Sequence, residues 1–415
     1  MEIGFFGLTH LGLNYLAANA CKGRKVIGYD RDNELIKNLT LGKKLFKEPF
    51  LFENINKYKK NIKFTNNPKD LKKCKIVFIS SDVKTDSKGK SNLKFIKRDI
   101  NSLRKVLFNK NLIIISQVNP GFTKNIVWNK DKLFYQVETL VFGDAFKRAL
   151  SPERIILGTI NPLKKINNDL KIFYSKFNCP IIKTDYSTAE LIKISINLYL
   201  ISSITTTNLI SEIVKKIGGS WSDLENSLRL DKRIGKFAYL KPGLGISGGN
   251  LERDLHNIID ISKQKRVSTK LFKIWKENSS HQKNWAYSIY KENTKKIKKL
   301  TLGILGLAYK ENTDSLKNSP SIYLIRRLKN KNISVFDPVV KKIIKKTNIT
   351  HANSVNELLS EINILFIMTP WKIFKNIDIN LLTSNKIKII IDPYGILISQ
   401  RANLEIKNIK YFSLM

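Results

Sequence analysis

Short apolar runs recur along the chain, with polar or glycine-containing breaks between them. EIGFFG (2–7), KVIGYD (25–30), KIVFIS (75–80) and NLIIIS (111–116) are rich in β-branched and aromatic residues, and the intervals between them are long enough for helices. That spacing predicts βαβ units and a parallel sheet, which PIIKTD (180–185) closes. From residue 187 to 219 the pattern changes to a continuous helical stretch with no breaker before Gly218. Ser187 and Glu190 read as an S-x-x-E capping box at its start, and Lys215, Lys216 and Gly218 as its stop. Apolar residues fall on several faces of this helix, so burial on most sides is expected.

Helical character continues to about residue 295. A second alternation then begins with TLGILG (301–306), NISVFD (332–337), NILFIM (363–368) and KIIID (388–392). The predicted class is α/β, with two Rossmann-like doubly wound parallel-sheet domains joined by a long central helix and helical segment. The expected boundaries are 1–186, 187–295 and 296–415.

Composition narrows this picture. A chain of 415 residues with 42% hydrophobic and 10% aromatic residues has ample core for two or three domains. The net charge of +40 is extreme, but the lysines are scattered in pairs such as Lys59-Lys60 and Lys164-Lys165. There is no basic arm, zinc-finger spacing or RNP-like motif, so the charge is expected to attract anionic dinucleotides and sugar nucleotides, with no nucleic-acid partner. Cys21, Cys74 and Cys179 are far apart and make no CxxC or metal spacing, so no metal is expected and a reduced, cytoplasmic location is. The N-terminal stretch lacks the positive region of a leader, and no uninterrupted apolar run reaches the roughly 18 residues of a membrane span.

Two constellations carry chemistry. GLTHLG (7–12) follows a strand and opens a helix, and Asp30 ends the next strand at about the offset where an acid holds ribose hydroxyls. Gly7, Thr9, Leu11, Gly12 and Asp30 are therefore candidate dinucleotide contacts. Thr9 stands where the fingerprint has its second glycine. A hydroxyl that binds phosphate and a bulk that weakens the backbone's approach both remain open. The second constellation is Lys193 and Asn197, four apart on one helix face. A lysine in an apolar helix needs a partner or a task; desolvated, it can move a proton to or from a substrate hydroxyl, while an amide fixes that hydroxyl or a water. An interface ion pair with a satisfied core asparagine is the competing reading.

Longer motifs give the chain a family likeness. EPF (48–50), SPERIILG (151–158), AELIKISIN (189–197), DKRIGKFAYLKPGLG (231–245), YKENTDSLKNSP (309–320) and FDP (336–338) occur in the order and at about the spacing of the UDP-glucose/GDP-mannose dehydrogenases, which the chain resembles over nearly its whole length. The resemblance implies NAD-dependent oxidation of the C6 alcohol of a UDP-sugar, of the kind that feeds polysaccharide biosynthesis, by a homodimer with an NAD domain and a UDP domain. It implies Lys193 as proton carrier with Asn197 as companion, Glu153 assisting acyl hydrolysis and Asp254 supporting the catalytic water and lysine. It also implies Gln117 beside the cofactor, and Arg233, Gly245, Gly248 and Lys310 at the substrate.

The departures are specific. Asn250 occupies the family's cysteine position, four before Asp254, and no cysteine exists after Cys179. Arg253 replaces a lysine, Gln117 a threonine, Lys317 an arginine and Tyr394 another arginine. A first hydride transfer needs a base and a bound nicotinamide, but the family's second oxidation runs through a thioester and needs a thiolate, which an amide does not supply. The sequence thus supports a dehydrogenase that is impaired or stops at the aldehyde. The alternative is a non-catalytic nucleotide-sugar and NAD-binding protein partnering an active paralogue.

Overall fold

The computed structural model describes residues 1–83, 91–295, 300–329, 331–341, 348–384 and 386–415. The chain forms two compact units, Met1–Ile196 and Asn197–Met415. The expected boundary at 296 lies outside the described residues.

The first unit holds strands β1 (Glu2–Phe6), β2 (Lys25–Tyr29), β3 (Ile62–Thr65), β4 (Ile76–Ile79), β5 (Asn111–Ile114), β6 (Leu133–Gln136), β7 (Ile155–Thr159) and β8 (Ile181–Asp185). They make one sheet in the order β3-β2-β1-β4-β5-β6-β7-β8. Neighbours run parallel except β6 and β7, whose pairing is antiparallel. The central strands are apolar on both sides because both sheet faces are covered. Phe5 stacks on Phe78 in one core layer, with ring centroids 5.1 Å apart, and Phe6, Val77 and Ile79 fill the other. All five predicted runs are strands. β3, β6 and β7 were not anticipated: β3 is four residues with a mixed polar pattern, and β7 overlaps the SPERIILG stretch, where a motif masked it.

The second unit carries β9 (Thr301–Leu305), β10 (Asn332–Phe336), β11 (Ile349–His351), β12 (Ile364–Ile367), β13 (Ile389–Ile391) and β14 (Lys410–Phe412). The order is β11-β10-β9-β12-β13-β14, all parallel. The four predicted strands are present. The two edge strands, three residues each, are too short to leave a periodic signal.

The long helix Tyr186–Lys216 runs from the first unit into the second. Its end follows expectation: Gly218 takes φ +73°, Gly219 N donates to Val214 O and Gly218 N to Lys215 O, the bond pattern of a Schellman stop. Its start does not. Asp185 is the cap, accepting from Thr188 N at 3.0 Å and from Thr188 Oγ1 at 2.6 Å, and there is no Ser187–Glu190 box. Glu190 is turned into the protein instead, onto another loop. Burial on most sides is also corrected. One stripe is buried, and it carries polar groups including Glu190, Lys193, Asn197 and Asn208, while Tyr199, Leu209 and Ile213 are exposed.

Gly12, in the helix His10–Cys21, marks where the first sheet meets its dinucleotide helix. A Cβ there would stand 2.0 Å from Gly7 O. Gly12→Ala is therefore expected to destabilise the protein by about 2–3 kcal/mol through overpacking against backbone. Urea unfolding checks this, and an unchanged midpoint would refute the close approach.

Candidate active site

The turn after β1 is shaped by backbone. Gly7 takes φ +96°, and its amide bonds Tyr29 O at 2.9 Å. Leu8 N donates to Asp30 Oδ2 at 2.8 Å, and Asp32 N to Asp30 Oδ1 at 3.1 Å. A carboxylate oxygen holds two lone pairs, so Asp30 stiffens the turn and keeps accepting capacity for ribose hydroxyls. Thr9 precedes the helix His10–Cys21 without a side-chain capping bond, so the first-turn amides are left for an anion. Its hydroxyl donates to Ser80 O at 2.9 Å. This is a third outcome beside the two the sequence left open: the hydroxyl is held by the neighbouring strand end. Leu11 is partly buried against the core beneath the turn. Gln117 follows β5 through Ser116, whose hydroxyl donates to Ser81 O at 2.6 Å. These groups fit a dinucleotide: a glycine turn, a helix N-terminus without an acid in its first turn, and an acid at the end of β2.

Lys193 is buried on the long helix. Its ammonium lies 3.4 Å from Glu138 Oε2, with the side chains 8% and 13% exposed. Glu138 follows β6, and Leu140 N donates to its other oxygen. Sequence reasoning missed Glu138. The available signal was an acid just past the apolar run LFYQV, at the strand end where α/β sites assemble. Glu153 instead has a side chain 64% exposed, bonded to Arg148 at 3.0 Å and Arg154 at 3.3 Å.

Two further carboxylates lie in this unit. Glu48, of the EPF motif, is 7% exposed. Its Oε2 lies 2.7 Å from His10 Nε2 and accepts from Gly143 N at 3.0 Å, while Oε1 accepts from Ala145 N at 2.9 Å. Burial pushes its acidity toward higher pH, but these donors outweigh burial and hold the carboxyl below its ordinary value. Glu190, fully buried, accepts from Gly121 N at 2.5 Å and Thr123 N at 2.7 Å. There burial wins and the value is raised.

The second unit gathers the other predicted residues. Asp254 is fully buried; it accepts from Asn197 Nδ2, and Arg253 Nε lies 3.5 Å away. Asn250 opens the helix Asn250–Gln264 and is exposed. The loop before it is fitted to its surroundings. Gly245 and Gly248 have positive φ, and a Cβ on Gly248 would lie 2.8 Å from the Tyr309 ring. Ile246 N donates to Ser279 Oγ at 2.8 Å, and Asn318 Nδ2 to Ile246 O at 3.1 Å. The Lys317 side chain lies along Gly249, and Lys310 Nζ is 5.9 Å from the Tyr309 ring centroid. Two cations therefore flank the Asn250 loop. Arg233 is 89% exposed and paired with Asp231 at 2.6 Å. Tyr394 lies beside Gly243, and burial pushes its phenol well up. Among the described residues, no group of three His, Cys, Asp or Glu side chains is placed to hold a metal.

Comparison with known proteins decides the family. Residues 1–178 match the NAD binding domain of the UDP-glucose/GDP-mannose dehydrogenase family, residues 187–280 its central domain and residues 303–399 its UDP binding domain. The chain belongs to that family. This family member is 30% identical to the UDP-glucose 6-dehydrogenase of Rickettsia prowazekii (strain Madrid E), an alignment covering 91% of each chain. The UDP-glucose dehydrogenase of the hyperthermophilic archaeon Pyrobaculum islandicum shares its fold with a TM-score of 0.85, at 21% identity and with 94% of this chain and 93% of that one covered. A UDP-D-ManNAc dehydrogenase from Pyrococcus horikoshii does so at 0.83, with 22% identity and 95% and 96% covered. By family, then, the protein is an NAD-dependent nucleotide-sugar dehydrogenase acting on a CH–OH group, and its first unit bears the NAD-binding domain.

The Glu48 geometry sets a pH dependence. Its folded value lies below the ordinary glutamate value of 4.5, so its contribution to stability is complete above that value and fades as pH falls through the lower folded one. Glu48→Gln is expected to cost about 1–3 kcal/mol near neutral pH. Denaturant unfolding of both proteins should show the gap closing on acidification; a gap independent of pH would contradict the assignment.

Proposed function

We propose that the protein oxidises the C6 alcohol of a UDP-sugar to the aldehyde with NAD, and that Asn250 leaves the further oxidation to acid slow or absent. The observation that carries this reading is the buried Lys193–Glu138 pair in the NAD-binding unit, in a chain with no cysteine after Cys179. Gly7, Gly12, Asp30 and the open first turn of the helix His10–Cys21 would hold NAD, with Thr9, Leu11 and Gln117 beside it. NAD bound there would supply the hydride acceptor for the alcohol carbon. Lys193, as the neutral amine, would take the hydroxyl proton as the alcohol carbon gives up hydride, so that the C–O bond becomes a carbonyl and Glu138 balances the ammonium that forms. Asn197, oriented by Asp254, positions that oxygen or a water. Gly245, Gly248, Lys310 and Arg233 serve the nucleotide-sugar.

The second oxidation would proceed from the hydrated aldehyde, whose carbon gives up hydride with a second NAD as oxidant while a hydroxyl proton passes to the Lys193 amine. Nothing in the chain offers a thioester route. Burial raises the thiols of Cys21 and Cys179 and pushes Cys74 up to about 12, so none is a ready thiolate. Glu153, tied to two arginines, is the expected aid to acyl hydrolysis and has no acyl group to act on in this scheme.

A homodimer fits the exposed apolar side chains of the central segment. Tyr199 is 81%, Ile217 75% and Phe237 85% exposed. No helix among the described residues is long and apolar enough to cross a membrane. A cytoplasmic enzyme supplying sugar precursors for polysaccharide synthesis accords with this reading. Binding of NAD and UDP-sugar without turnover, beside an active paralogue, is the second reading; Asn250 and Thr9 favour it. Calorimetric binding of both ligands with no NADH formed would support it against the first.

Lys193→Met is expected to lower NADH formation from UDP-glucose by about 10²-fold or more. UDP-N-acetylglucosamine and UDP-N-acetylmannosamine are the other substrates to assay. Asn250→Cys is expected to raise the uronic acid formed and the NADH released per sugar consumed. An unchanged product profile would show that this position is not the acyl site.

A further inference from the structure

Glu48 and Glu190 have no part in the proton transfer, yet both are buried carboxylates in the same unit as the Lys193–Glu138 pair. Each spends its oxygens on backbone amides of a loop. Such an anion is costly to bury, and its donors here are fixed peptide groups whose position it fixes in return. The two loops are not arbitrary. Glu48 grips Gly143 and Ala145, a few residues beyond Glu138 and Leu140, and ties them to His10 at the start of the dinucleotide helix. The His10 ring also stacks on Phe142, with centroids 4.1 Å apart, which closes the same loop from its other side. Glu190 stands one helical turn before Lys193 and grips the Gly121–Thr123 turn, which follows Gln117 after β5. Close packing of Gly158 against Ala189 supports that end of the helix, since a Cβ on Gly158 would lie 2.8 Å from Ala189 Cβ.

We propose that Glu48 and Glu190 are positioning residues for hydride-transfer chemistry, Glu48 by fixing the loop that carries Glu138 and Glu190 by fixing the helix that carries Lys193. The proposal rests on the reading of Lys193 and Glu138 as the proton-handling pair. A shift of about 1 Å between reacting groups is enough to cost up to about 10²-fold in rate. The carboxylates need not touch the substrate to matter, and their effect passes through the pair.

The test is a double-mutant comparison in the full chain with UDP-glucose and NAD. Glu48→Gln and Glu190→Gln, each made alone, are expected to lower kcat about tenfold, with KM for UDP-glucose changed less than about twofold. Glu48→Gln should cost less than about twofold in a Glu138→Gln background, and Glu190→Gln less than about twofold in a Lys193→Met background, because in each case the group it positions is gone. Hydrogen exchange should quicken at residues 143–145 in the first variant and 121–123 in the second. If Glu48→Gln fails to fold, His10→Phe removes one donor and keeps a ring beside Phe142; a two- to threefold loss of kcat is then expected, again absent in the Glu138→Gln background. Equal losses in the parent and variant backgrounds, or a fall in stability with kcat unchanged, would overturn the positioning role and leave the function standing. Full activity of Glu138→Gln would instead sink the proton-pair reading, and an inactive wild-type chain would sink the oxidation itself.

Discussion

The charge of Lys193 is the constraint on which the site turns. An ammonium removed from water needs a compensating partner, and Glu138 is that partner at 3.4 Å. Placing an acid there requires β6 to end where it does and the following loop to curl back, with Leu140 N held by the same carboxylate. Placing the lysine requires a helix whose inward stripe is polar. This explains why the long helix departs from an ordinary amphipathic pattern, with charged and amide side chains inside and several apolar ones outside.

A carboxylate at a strand end organises the first turn of each sheet. Asp30 holds Leu8 N beside the first glycine turn. In the second unit Asp337, at the end of β10, holds Leu307 N at 2.7 Å and Ala308 N at 3.1 Å beside Gly306. In each case the acid satisfies amides at the turn following the first strand of its sheet, so the backbone is rigid before any ligand arrives. The two units are thus built on one device. In the family these are the NAD and UDP binding domains, and their matched turns are consistent with two nucleotide-binding halves.

In the proposed reaction the chemistry divides at Asn250. Proton handling by that proposal needs a desolvated lysine with a counter-charge, and the chain has the buried Lys193–Glu138 pair. Acyl transfer needs a polarisable nucleophile, and the helix that would present it begins with an amide. The cations flanking that loop, Lys317 and Lys310, are charges suited to an anionic ligand whatever the fate of the second oxidation.

Much of this was legible in the chain. Buried strands read as apolar runs because both faces of each sheet are covered, and the glycine turns read as such because Gly7 and Gly12 admit no side chain. Lys193, Asn197 and Asp254 were legible as candidates from spacing and family likeness. Glu138 was not, because its meaning depends on how β6 brings it to a helix far along the sequence. Glu153 and Glu138 look alike as letters; only the folded chain gives one to surface arginines and the other to Lys193. The role of Glu190 was likewise hidden, since a local capping box and a long-range grip on the Gly121 turn share one sequence pattern. Local periodicity and steric exclusion are written residue by residue. The pairing of buried charges is a property of distance in space, and tertiary structure alone sets it.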